Sequence, residues 1–181
     1  MDRRPGIRPR QSLSRRLDRA ARRSLPAAAT ILSALALAGP LGLPGQAELQ
    51  ASVALSSVFF WSLSRPASMP PWAVFAIGLL VDLLGSAPLG VGALTLLATH
   101  GIAARARRKL ARHGFLVVWL AFAAVASAAA ALAWALTSLL DFRLLPPGPG
   151  MFQAALSAGL YPLLATLMAR AHQTLAEPER A

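Results

Sequence analysis

One acidic residue, Asp82, lies within the otherwise apolar stretch of residues 78–92. The apolar run that contains it ends at a Gly-Ser-Ala-Pro turn, and a second apolar run begins directly afterwards. A carboxylate inside a soluble core must be paired, and a helix that faces lipid could hardly hold one, although the cost is much lower near the end of a helix than at the bilayer centre. Any fold of this chain must therefore provide partners for Asp82.

The composition places the chain among membrane proteins. Of its 181 residues 56 % are hydrophobic and only 14 % are charged, with a mean hydropathy of +0.54. The net charge of +11 comes from basic clusters that flank apolar runs, at residues 3–23 and 105–112, which argues against nucleic-acid binding. Since there is no cysteine, disulfides, thiolate zinc sites and cysteine nucleophiles are excluded.

Six apolar runs predict an all-α integral membrane protein with six short transmembrane helices. The predicted spans are residues 25–43, 49–63, 70–84, 89–104, 115–140 and 151–169. The second run is short and polar on one side, but if it spans, both large basic clusters fall on the same face of the membrane, as the positive-inside rule requires. Both termini are then cytoplasmic, with a basic arm at 1–24, a membrane domain at 25–170 and a tail at 171–181.

The Arg-rich arm is predicted to be disordered, or to form a surface helix from Leu13 onward. Our preferred interpretation of this arm is a topology signal, and the second interpretation is a contact with anionic lipids. The following run contains Ala36-Leu37-Ala38, which fits a signal-peptidase site, but the basic region is unusually long for a leader. We therefore expect the first run to remain as an uncleaved helix.

Two interpretations of Asp82 stay open. In the predicted topology it lies near the outer end of its helix, where it could accept hydrogen bonds from the turn at 85–90 or from the first amides of the next helix. This hairpin-clamp interpretation is preferred over a charge-dependent contact with a partner. A clamp would tolerate Asp82→Asn, because asparagine also caps helices.

The other titratable residues give no support for an enzyme. The predicted topology places Asp141 outside and His113 inside, and it separates Asp82 from His100, which reads as an interfacial residue at a helix end. No two histidines have metal-ligand spacing, so neither a metal site nor a cofactor is expected.

Two features of the last spans concern helix packing. Pro162 lies in the middle of the last run, where it should kink the helix and free the carbonyl of Ala158, a group that neighbouring helices must then satisfy. Trp119 and Trp134 are about 22 Å apart on an ideal helix, which suits the two interfacial belts of a membrane.

Residues 59–94 resemble the MreD family of rod-shape-determining membrane proteins. The likeness rests on Phe-Trp-Ser-Leu-Ser-Arg-Pro at 60–66 and Asp-Leu-Leu-Gly-Ser-Ala-Pro-Leu-Gly at 82–90, and the six short spans, the basic loop after the fourth and Tyr-Pro at 161–162 fit the same family. The long Arg-rich arm departs from the family pattern. The candidate structural or interaction residues are Asp82, Gly78, Gly85, Pro88, Gly90, Arg65, Pro66, Tyr161 and Pro162.

The resemblance implies a non-enzymatic inner-membrane subunit of the bacterial elongation machinery. Such proteins partner MreC and work with the MreB filament and the lateral-wall synthase pair. The family is also similar in helix arrangement to the substrate-binding subunits of energy-coupling-factor vitamin transporters, so a small-molecule role is the alternative. That alternative requires a polar outer cavity, and a bundle that is packed solid would remove it.

Overall fold

The computed structural model describes residues 13–39, 42, 44–85 and 87–176, with side chains described within 24–170. In these ranges the chain is all-helical, as expected, and contains no strand. Predictions for residues 1–12, Ser86 and residues 177–181 lie outside the described residues. The elements are α1 (Leu13–Leu37), α2 (Gln46–Ser64), a 3-10 turn (Pro66–Ser68), α3 (Pro71–Leu84), α4 (Val91–Leu110), α5 (Phe115–Leu140) and α6 (Gly148–Ala176).

Helix α2 lies at the centre of the bundle, where it packs against α1, α4 and α6, while α3 packs on α4 and α5 on α6. The C-terminal ends of α1, α3 and α5 and the N-terminal ends of α2, α4 and α6 lie at one end of the bundle, which we call the Asp82 end. The reversals at 65–70 and 111–114 meet at the other, the basic end, near the cations of residues 105–112. Helices that follow one another in the chain are therefore antiparallel, whereas α2, α4 and α6 all begin at the Asp82 end and run in the same direction.

Two helix boundaries differ from the predicted spans for physical reasons. Helix α1 begins at Leu13, so the basic segment from Leu13 continues into the first apolar run as one helix. Helix α4 continues past residue 104 to Leu110, which makes most of the predicted basic loop part of a helix. Arg107, Arg108 and Lys109 occupy the last turn of α4, where cations interact favourably with the helix dipole. By contrast, α5 has the bounds of its predicted span.

Two helices of the described part are long and apolar enough to cross a membrane, Phe115–Leu140 and Gly148–Arg170. The expected count of six spans is not supported by length and composition. Helix α3 has 14 residues and is only about 21 Å long, while α2 carries Glu48, glutamines and serines, and α4 ends in cations.

The two most apolar helices lie largely on the outside of the bundle. Only 22 % and 17 % of the apolar windows in α5 and α6 are buried, whereas the core helix of a soluble protein is mostly buried. The interior has an apolar core and also holds small hydroxyl side chains, which allow close helix packing. The most deeply buried serine and threonine residues are Thr30, Ser52, Ser56, Ser57, Ser62, Thr99 and Ser157. The apolar outer surface therefore requires an apolar environment or a partner.

An aromatic cluster joins α2, α5 and α6. Phe59, Phe122 and Tyr161 are almost fully buried, with ring centroids 5.1 Å apart for Phe59–Phe122, 5.8 Å for Phe59–Tyr161 and 4.1 Å for the stacked Phe122–Tyr161 pair. One turn away, the buried hydroxyls of Ser52 and Ser157 lie 2.9 Å apart. These contacts fix α6 against the centre of the bundle.

The carbonyl of Ala158, which Pro162 leaves without a backbone donor, accepts a hydrogen bond from a neighbouring helix. Because proline has no N–H, Pro162 cannot donate to the carbonyl of Ala158 four residues earlier. The indole Nε1–H of Trp119 donates to this oxygen instead, at 2.8 Å, and so links α5 to α6. Trp134 likewise donates within the protein, to the carbonyl of Leu145 at 2.9 Å. Trp119 and Trp134 were expected to lie in the two interfacial belts, and both indole N–H groups donate to carbonyls of the protein itself.

We predict that Trp119→Phe destabilises the protein by about 1 kcal/mol, because the Ala158 carbonyl loses its donor. In a Pro162→Ala background the new backbone N–H can donate to that carbonyl, so Trp119→Phe should cost less there. Thermal unfolding of the four proteins in detergent measures this double-mutant cycle. Equal losses in the two backgrounds would contradict the proposed link.

Candidate functional site

The carboxylate of Asp82 closes the hairpin between α3 and α4. Asp82 is 4 % exposed and lies in the last turn of α3. One carboxylate oxygen, Oδ1, accepts the N–H of Gly92 at 2.7 Å, and Oδ2 accepts those of Gly90 at 2.8 Å and Ala93 at 3.3 Å. These amides belong to the N-terminus of α4, where intrahelical partners are lacking and the helix dipole favours an anion. The hydrogen bonds expected of a hairpin clamp are therefore present.

Glycines let the two helices approach closely enough for these bonds. A Cβ atom at Gly78 would overlap the backbone of Ala93, with its nitrogen only 2.7 Å away. A Cβ atom at Gly92 would overlap the carboxylate of Asp82 itself. Gly90 has a φ of 100°, which side-chain-bearing residues rarely adopt, and it directly precedes α4. A side chain is thus disfavoured at 78, 90 and 92 for a different reason at each position.

Gly85 and Pro88 complete the turn. The N–H of Gly85 donates to Val81 at 2.9 Å and ends α3, and the carbonyl of Pro88 accepts the N–H of Val91 at 3.2 Å at the start of α4. Five of the nine candidate residues, those at 78, 82, 85, 88 and 90, therefore form one structural unit.

The other four candidates lie elsewhere. Arg65 and Pro66 end α2 at the basic end, where the N–H of Arg65 donates to Trp61 at 2.8 Å. Tyr161 and Pro162 lie inside α6, in the aromatic cluster and opposite Trp119. The nine residues do not converge on one site.

The interpretation of His100 as a residue at a helix end is wrong. Helix α4 continues for ten residues beyond it, and His100 is half-buried between helices. Its Nδ1 lies 2.7 Å from the hydroxyl of Ser62 on α2. His100 therefore joins α4 to α2, and its partner could not be predicted from sequence because the two residues are far apart along the chain.

A cavity of about 440 Å³ opens beside the Asp82 hairpin, and sequence reasoning did not find it. The first turns of α2, α4 and α6 and the last turns of α3 and α5 form its walls. Its polar lining is contributed by Glu48, Gln50, Asp82, Thr95, Thr137, Asp141, Arg143 and Gln153. We call it the outer cavity. Its size lies within the range of small-molecule sites.

The loop at 141–147 forms the rim of the outer cavity and is tied to α5. The N–H of Leu145 lies 3.3 Å from the hydroxyl of Ser138, and its carbonyl accepts the indole N–H of Trp134. Two apolar side chains on this loop remain outside the protein, since Phe142 is 94 % and Leu144 85 % exposed.

No protein-family model matches the chain, and no curated protein or solved structure is significantly similar to it. The resemblance to the MreD family thus stays a prediction from the residues. Within the described residues no group of three or more histidine, cysteine or acidic side chains could hold a metal ion.

The geometry revises the prediction for Asp82→Asn. Both carboxylate oxygens accept backbone amides, whereas asparagine offers one oxygen and would turn its NH₂ group toward a donor. We expect a loss of about 1–3 kcal/mol, measured by thermal unfolding in detergent. Asp141→Asn is the matched control, because Asp141 is exposed and pairs only with Arg143 at 4.0 Å. Unchanged stability of the Asp82 variant would contradict the clamp.

Proposed function

We propose that the chain is a non-enzymatic scaffold subunit of the bacterial cell-elongation complex, embedded in the inner membrane. In this proposal six short helices cross the membrane, both termini are cytoplasmic, and an MreC-like membrane protein docks on the chain. Through that partner the chain works with an MreB filament and the lateral-wall synthase.

The exposed apolar surface of the bundle supports membrane embedding. Leucine and phenylalanine side chains cover much of the outside while several serine and threonine side chains are buried inside, as expected when lipid replaces water as the solvent. Packing of α3 against α4 also lets this short helix lie at membrane depth without spanning the full thickness alone. These two points favour six spans although only two helices meet the length criterion.

The charge distribution supports the orientation. Arg65, the cations of residues 105–112 and Arg170 lie at the basic end. The Asp82 end carries Glu48, Asp82 and Asp141 against the single cation Arg143. By the positive-inside rule the basic end faces the cytoplasm.

The observation that carries the scaffold proposal is the hairpin clamp. The only acid within the apolar part of α3 and α4 accepts three backbone amides, which supports a structural role over acid–base chemistry. The residues that form this clamp are also those on which the family resemblance rests. The exposed Phe142 and Leu144 at the outer rim offer an apolar contact for the extracytoplasmic part of a partner.

The test is depletion of the protein in its bacterial host, followed by complementation. We expect depleted cells to become round and to lose lateral wall insertion, and the intact chain to co-purify a single-span partner. The double variant Phe142→Ser and Leu144→Ser should weaken that co-purification, whereas Arg143→Ala on the same exposed loop should not. Retained rod shape after depletion would contradict the proposal.

A second candidate function rests on the outer cavity. Because the bundle is not packed solid at the Asp82 end, the alternative of a substrate-binding subunit of a small-molecule transporter stands. The cavity combines three carboxylates with one guanidinium and two amides, which suits a polar ligand of vitamin size.

The alternative predicts that purified protein carries a small molecule, detectable by mass spectrometry of the released ligand. Ala133→Phe would fill the outer cavity and abolish this binding, whereas Ala135→Phe on the exposed side of the same helix would not. Absence of any ligand from protein purified under native conditions would contradict this alternative and leave the scaffold proposal intact.

A further inference from the structure

A second cavity, of about 500 Å³, lies at the basic end of the bundle. The ends of α2 and α4, the start of α5 and the C-terminal half of α6 form its walls. Most of its lining is apolar, including Phe60, Leu63, Leu110, Phe115 and Val118. We call it the basic-end cavity. It is separate from the outer cavity, with which it shares no lining residue.

Positive charge is concentrated on one side of the basic-end cavity. Arg107 and His113 both line it. The Nδ1–H of His113 donates to the carbonyl of Lys109 at 2.8 Å, so this ring can donate to a phosphate oxygen only through Nε2, in the form in which both ring nitrogens carry a proton. Helix α5 begins here with Phe115, and Gly114 before it provides no side-chain cap for the first amides. A guanidinium, an imidazole and a helix N-terminus together favour an anion.

Tyr161 adds a buried polar group to this lining. It is 1 % exposed, and within the described part of the chain its hydroxyl has no hydrogen-bond partner. A buried hydroxyl without a partner is unfavourable by about 1–3 kcal/mol. Ser64 and Thr166, on α2 and α6, contribute two further hydroxyls to the lining. The cavity therefore has both donors for an anion and apolar walls for a hydrocarbon.

We propose that the basic-end cavity binds an anionic phospholipid, with the phosphate at Arg107 and His113 and the first part of an acyl chain along Phe60, Leu63 and Val118. The cavity begins at the first residue of α5, one of the two membrane-length helices, which is the depth of the lipid head groups if α5 spans. Inorganic phosphate would gain nothing from the apolar walls, so the geometry favours a lipid over a free anion.

The proposal is tested on the full chain in detergent by native mass spectrometry with added phosphatidylglycerol or, for comparison, phosphatidylcholine of the same acyl chains. We expect Arg107→Gln to weaken phosphatidylglycerol binding about tenfold, the usual effect of losing one charge-assisted hydrogen bond. Arg108→Gln is the matched control, because Arg108 carries the same charge, is also exposed and does not line the cavity. This variant should bind phosphatidylglycerol as the unmodified chain does. Equal losses in the two variants would overturn the proposal.

A second variant tests the apolar part of the cavity without changing the charge. Ala169→Leu should fill space at the wall formed by α6 and weaken phosphatidylglycerol binding, while millimolar inorganic phosphate should leave binding unchanged. Displacement by phosphate alone, or equal binding of phosphatidylcholine, would overturn the lipid assignment. Thermal unfolding of each variant without lipid establishes that the loss of binding does not come from unfolding.

Discussion

The carboxylate of Asp82, held by the amides of Gly90, Gly92 and Ala93, is the interaction on which the Asp82 end depends. It allows a charged group to be buried where an unpaired one would be strongly unfavourable. The same three bonds satisfy amides at the start of α4 that have no partner within their own helix. The Asp82 side chain thus satisfies both its own buried charge and the free amides of α4. The same geometry brings Gly78 close to the backbone of Ala93.

Small polar side chains and aromatic rings link the helices in the rest of the bundle. Ser52 with Ser157 and Ser62 with His100 each join α2 to another helix, and the Phe59, Phe122 and Tyr161 rings fill the space between α2, α5 and α6. These hydrogen bonds and ring contacts join helices that also share an apolar core.

Local patterns allowed part of this architecture to be predicted. The bounds of α5 and the partners of Asp82 follow from an apolar run and from capping rules that operate within about a dozen residues. Contacts between distant residues could not be predicted, as the Trp119 bond to Ala158 and the His100 bond to Ser62 show. Both cavities also escaped prediction, because each is lined by several helices whose relative placement a single sequence does not encode locally.

The short sequence separation of the clamp has a consequence for biogenesis. The acceptor Asp82 and its donors are only 8, 10 and 11 residues apart, so every atom of the clamp is present once the chain has been synthesised to Ala93. The end of α3 and the start of α4 can therefore pair as soon as this short segment exists, before α5 and α6 have been made. The carboxylate then has its partners from the beginning and does not wait for the rest of the bundle to assemble.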